Sequence, residues 1–135
     1  MRDIKFRAWD KTINYMDYRV RFSHFEDGIE VLDSWSSWRE LKKDEYELMQ
    51  YTEFKDKNGV EIYEGDIVLD DEFTYIVRFG KFTDFDDLQT PPLLQTGFYI
   101  ADIHNNETFP FYNLTYEVIG NIYENPELLE DLKND

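Results

Sequence analysis

Phe73-Thr74-Tyr75-Ile76-Val77-Arg78-Phe79 decides the fold class. Phe73, Tyr75, Val77 and Phe79 alternate with Thr74, Ile76 and Arg78, and a period of two puts each set on its own face of a β-strand. Toward the amino terminus, Asp70-Asp71-Glu72 marks a reversal and Ile67-Val68-Leu69 an apolar strand. Glu64-Gly65-Asp66 is a turn that follows Ile62-Tyr63, and in Lys55-Asp56-Lys57-Asn58-Gly59 the Asn-Gly pair supplies the positive φ angles of a tight reversal. Leu48-Met49-Gln50-Tyr51-Thr52 reads as the strand before it. Toward the carboxyl terminus, residues 80 to 96 carry Asp84, Asp86, Asp87 and Pro91-Pro92, which predicts a long loop because proline cannot join a central ladder. Strand signals return at 97–101, at 108–112 around Pro110 and at 116–123. Asn125-Pro126-Glu127 then predicts a short terminal helix with Asn125 as its cap. Short strands punctuated by turns predict a mainly β fold, a small SH3-like or related barrel over about residues 48 to 123.

The amino-terminal part reads differently. Residues 4–8 and 18–22 alternate apolar and charged side chains, and the segment from Asp10 to Asp17 is placed to close them into a hairpin. That pairing sets Lys5, Arg7, Arg19 and Arg21 on one face, where like charges repel and an acidic surface brings relief; the plainer alternative is that all four point into water. A strand is expected at 29–32. Ser37 and Glu40 have capping-box spacing and predict a short helix, and Trp35 and Trp38 are assigned to the core on size. Residues 1–47 are thus a β-rich extension packed on a barrel-like domain of residues 48–135 with its terminal helix.

Composition sets the boundaries of function. The chain has 135 residues, enough for one domain or two very small ones, and 18% of them are aromatic, enough ring area for a core. Fourteen basic against 30 acidic side chains leave −16, which disfavours a binder of phosphate backbones. Residues 1 to 22 hold six basic and three acidic groups, a local +3, so the remaining 113 carry −19. There is no cysteine, hence no disulfide, thiolate metal site or thiol nucleophile. No apolar run approaches a membrane span, and the charged start, Met1 to Arg7, is unlike a signal peptide; a cytoplasmic protein is expected.

A calcium loop from Asp84 needs Gly at Gln89 and Glu at Gln95 and fails. Asp66, Asp70, Asp71 and Glu72 have the ligand chemistry for Mg²⁺, though acid clusters arise freely in so acidic a chain. His24 and His104 sit in no zinc motif, none of the serines lies in G-x-S-x-G, and Gly59 and Gly65 match no phosphate loop. No catalytic, cofactor-binding or metal residue is assigned, and no cofactor is expected.

Three blocks carry a family resemblance. Ile4-Lys5-Phe6-Arg7-Ala8-Trp9-Asp10 comes first. The second is Leu48-Met49-Gln50-Tyr51-Thr52 with Lys55-Asp56-Lys57-Asn58-Gly59 and Ile62-Tyr63-Glu64-Gly65-Asp66-Ile67-Val68. The third runs from Glu117-Val118-Ile119-Gly120-Asn121 to Asn125-Pro126-Glu127-Leu128-Leu129. In this order they resemble the YopX family, found in bacteriophages and in prophage regions of Gram-positive bacteria. The resemblance implies a small β-rich protein and offers no catalytic residue to carry over. The sequence departs at Glu53-Phe54, where the family usually has a Gly and an aliphatic residue. The function expected is a non-catalytic phage accessory protein of the bacterial cytosol that binds protein and self-associates as a homo-oligomer, its basic and acidic faces meeting head to tail. A host or phage protein is the other class of partner. The alternatives are an acidic DNA mimic that occupies a host DNA-binding protein, and a carboxylate-metal enzyme.

Overall fold

The computed structural model describes residues 3–23, 28–71, 73–84, 93–111 and 115–129, with the side chains of residues 84 and 93 excepted. The chain divides into two compact units, Met1–Tyr51 and Thr52–Asp135. It is mainly β, with a curled half-barrel sheet and a short carboxyl-terminal helix. No helix among the described residues is long and apolar enough to cross a membrane.

In the first unit, strand β1 (Phe6–Asp10) lies between β2 (Tyr15–Asp17) and the incoming half of β6 (Tyr46–Lys55), antiparallel to both. A separate meander joins β3 (Val20–Phe22), β4 (Gly28–Leu32) and β5 (Trp38–Lys42). Ala8, Ile29, Val31 and Leu41 form the core, with Val20, Tyr46 and Leu48 packed against it. The hairpin expected between 4–8 and 18–22 does not form: β1 turns directly into β2, and Val20, Arg21 and Phe22 pair with Val31, Glu30 and Ile29 of β4. The cause is local. Asp10 Oδ1 accepts the Thr12 N–H at 2.9 Å and turns the chain early, and Asp17 Oδ1 accepts the Arg19 N–H at 2.8 Å and turns it again before β3.

The helix expected around Ser37 and Glu40 is also replaced, by β5. Asp33 Oδ1 accepts the N–H groups of both Trp35 and Ser37 at 2.9 Å, which closes a tight β4–β5 turn instead of starting a helix. The register sets Leu32 opposite Trp38 and Ile29 opposite Leu41. Leu41 therefore points into the core and Trp38 away from it. Trp35 and Trp38 are not core residues: they are 87% and 38% exposed.

The second unit contains the outgoing half of β6, β7 (Glu61–Tyr63), and a five-stranded antiparallel sheet ordered β11-β10-β9-β8-β12. Its strands are β8 (Asp66–Asp70), β9 (Phe73–Asp84), β10 (Leu93–Asp102), β11 (Thr108–Pro110) and β12 (Glu117–Asn121). Pro110 sits on the edge strand, the place where a missing N–H does no harm. Ile62, Val68, Tyr75, Val77, Ile100, Phe111 and Tyr116 make the core. Much of the expected 80–96 loop is strand: β9 runs on to Asp84 and β10 starts at Leu93, and only 85–92 lie outside the described residues. Gly80 and Gly97 face each other across this long ladder with φ of 151° and 157°, a backbone region that L side chains rarely enter, which lets the pair bend at one point.

At the carboxyl end the helix is present at residues 127–129. Asn125 works differently from the side-chain cap expected of it: its Oδ1 accepts the Asn121 N–H at 3.1 Å, while its carbonyl accepts the Leu128 N–H. A Cβ on Gly120 would lie 2.6 Å from that Oδ1, so the Gly120-Asn121 and Asn125-Pro126 pairs of the sequence are packed on one another.

Candidate functional site

The acidic side chains have two distinct fates. Asp10, Asp17, Asp56, Asp66 and Asp102 are buried, and each accepts at least one backbone N–H. Asp56 is the fullest case: Oδ1 takes the N–H groups of Asn58 (2.8 Å) and Val60 (2.9 Å), and Oδ2 takes that of Val118 (2.9 Å). Burial pushes its pKa up, but the three backbone donors and Lys57 outweigh this and hold it below the ordinary value. Burial likewise opposes ionisation of Asp10, and hydrogen bonds from Thr12 and Arg39 outweigh it. These groups are fasteners of the chain and are not available to mimic phosphates. Of the proposed Mg²⁺ set, Asp66 is committed to the Tyr63 N–H at 2.7 Å, Asp70 accepts from Thr115 at 3.2 Å, and Glu72 lies outside the described residues. Among the described residues no group of three or more His, Asp or Glu is arranged to hold a metal.

The four basic residues singled out in the sequence are not brought together as one row. Arg7 is buried, 2% exposed, with Nη1 3.4 Å from the Tyr18 hydroxyl. Lys5 lies over the Tyr51 ring at 5.4 Å and pairs with Asp3 at 3.4 Å. Arg21 stacks on Trp38, 4.0 Å from the ring centroid, and pairs with Glu30 at 3.3 Å. Arg19 is half exposed and stands 3.8 Å from Asp17, outside hydrogen-bonding distance.

What stands out in the first unit is a surface of aromatic and arginine side chains. A cleft of about 310 Å³ is lined by Ile13, Tyr15, Arg19, Val31, Leu32 and Arg39. Buried Asp10 anchors the Arg39 guanidinium, which Thr12 helps to position by hydrogen-bonding the same carboxylate. Ile13, Tyr15, Tyr18, Phe22 and Trp35 are all more than half exposed. Sequence reasoning found Arg19 and missed the rest of the cleft, because its lining comes from three separated stretches, 13–19, 31–34 and Arg39. The available signal was the Asp33-Ser34-Trp35-Ser36-Ser37 string, which is turn chemistry on both sides of a tryptophan.

The model of the YopX protein family matches residues 5–130. The chain belongs to the YopX family. No curated protein matches it. Among solved structures it is similar to protein EF1440 from Enterococcus faecalis at 26% identity, over 96% of this chain and 99% of that one, with a TM-score of 0.47. Glu53, where the resemblance leads one to expect Gly, adopts φ of 74°, a left-handed conformation suited to glycine.

Proposed function

We propose that this YopX-family chain is a non-catalytic accessory protein of a bacteriophage or prophage that acts in the bacterial cytosol by binding protein, and that it self-associates. The observation that carries the reading is the exposed aromatic–arginine surface of the first unit. Tyr, Trp and Arg are the side chains enriched at the centres of protein–protein interfaces, and exposed apolar area has a free-energy reason to be covered. The contact does not depend on a row of four free cations, since Arg7 is internal and Arg21 is engaged with Trp38 and Glu30. Sedimentation velocity on the full chain tests the reading: reversible association in the micromolar range is expected, and a monomer that persists to high micromolar concentration contradicts it.

A further inference from the structure

We propose that the Trp35 indole of one copy seats in the first-unit cleft of a second copy, reciprocally about a two-fold axis. The proposal rests on the self-association proposed above. Trp35 is 87% exposed, yet the turn that carries it is held firmly. Asp33 Oδ1 accepts the Trp35 and Ser37 N–H groups at 2.9 Å, the Asp33 N–H donates to the Ser37 carbonyl at 2.9 Å, and the Ser36 N–H donates to the Asp33 carbonyl at 3.1 Å. A turn whose backbone is fixed in advance loses little main-chain freedom on binding, and tryptophan is among the residues most enriched at interface hot spots.

The cleft suits an indole in size, and its lining balances Arg19 and Arg39 against Asp17 and Asp33. At about 310 Å³ it lies at the small end of ligand-binding cavities, with Val31 and Leu32 as apolar lining. Arg19 and Arg39 bring guanidinium groups, for which the indole face is the best ring partner. Asp33 travels with Trp35 on the tip; only its Oδ1 holds the turn, and Oδ2 can meet Arg19 of the opposing cleft, since Arg39 is held by Asp10.

Geometry selects the occupant. Asp33 and Ser34 line the cleft and Trp35 follows them in the chain, so knob and hole are neighbours on one surface. A two-fold axis between them makes each knob meet the other copy's hole, which closes the assembly at two copies. Area sets its strength. One tryptophan buries roughly 150–250 Å² against the ~800 Å² per partner of a standard interface. Two knobs with the exposed rim residues Ile13 and Tyr15 therefore make a contact below standard size, of the weak and reversible class.

Sedimentation velocity across a concentration series, with tryptophan fluorescence in parallel, tests the seating on the full chain. The parent protein is expected to dimerise with a blue shift of its emission. Trp35→Ala should weaken the dimer at least tenfold with no change in the unfolding midpoint measured at concentrations where the parent is monomeric, and Ile13→Trp, which fills the cleft, should weaken it as much. An equimolar mixture of the two variants restores one knob and hole and should associate more tightly than either alone. If both variants dimerise like the parent, the seating is wrong and self-association stands. If only Trp35→Ala has an effect, the cleft is not the receptacle and the proposal is overturned. If the parent is monomeric throughout, both readings fall.

Discussion

The two units divide the work unequally. Met1–Tyr51 holds nine basic and eleven acidic residues, close to neutral, while Thr52–Asp135 holds five and nineteen and carries nearly all the net charge of −16. The first has a small aliphatic core and leaves Tyr15, Tyr18, Phe22 and Trp35 outside; the second draws Tyr75, Phe111 and Tyr116 into its core. Overall charge is therefore a poor guide to where exposed Tyr and Trp side chains are placed. Among the described residues the nearly neutral unit exposes Tyr15, Tyr18 and Trp35, residue types enriched at interfaces, whereas the acidic one exposes phenylalanines, Phe73 and Phe79 among them, on a unit whose like charge opposes close approach of copies.

The largest expected effect breaks the comparison in the core of the first unit. Leu41→Ala truncates one of the four buried residues of the cluster of Ala8, Ile29, Val31 and Leu41 and should cost about 2–5 kcal/mol, with hydrogen exchange losing protection in β4 and β5 before β8 and β9. Loss of protection in all four strands at the same rate would show that the units do not differ in stability.

Next comes the second unit's fastener. Asp56→Asn leaves an acceptor for Asn58 and Val60 but sets an amide donor against the Val118 N–H, and should cost about 1–3 kcal/mol in denaturant unfolding. It also predicts a pH dependence. Asp10 and Asp56 have pKa values lowered from the ordinary 3.8, so on acidification the unfolded chain takes up protons first. The stability they supply is complete above that value and is lost as pH falls through it and below. Asp56→Asn should flatten this acid limb; an unchanged limb would place the titration elsewhere.

Smaller effects sharpen the picture. Glu53→Gly relieves a left-handed non-glycine residue and should stabilise the protein by about 0.5–1 kcal/mol. A destabilised variant would mean that Glu53 makes a side-chain contact worth more than the strain. Trp35→Ala should change stability by less than about 0.5 kcal/mol, as for an exposed position, and a larger loss would mark Trp35 as structural.

The strands of the second unit were legible because Phe73 to Phe79 and Ile67 to Leu69 alternate or run apolar between turn residues, a pattern set by the backbone itself. The first unit was less legible. Ser37 and Glu40 satisfy a helix-start pattern, but Asp33 captures the same N–H groups from the other side, and local rules do not rank the two. The expected hairpin failed for a similar reason, since Asp10 and Asp17 each turn the chain with their own side chains. Trp35 was assigned to the core on size alone; only the β4–β5 register shows that it sits at a tip. The lengths of β9 and β10 escaped because Asp84 and the Pro91-Pro92 pair lie at the end of the hairpin, where they mask strand on both sides.

The central claim is that the first unit is the interaction surface. Hydrogen exchange of the full-length protein, compared at low and high concentration, tests it most directly. The account predicts concentration-dependent protection in residues 13–19 and 33–39, with β8 and β9 unchanged. Protection that appears in the second unit's strands and spares those two segments would contradict it.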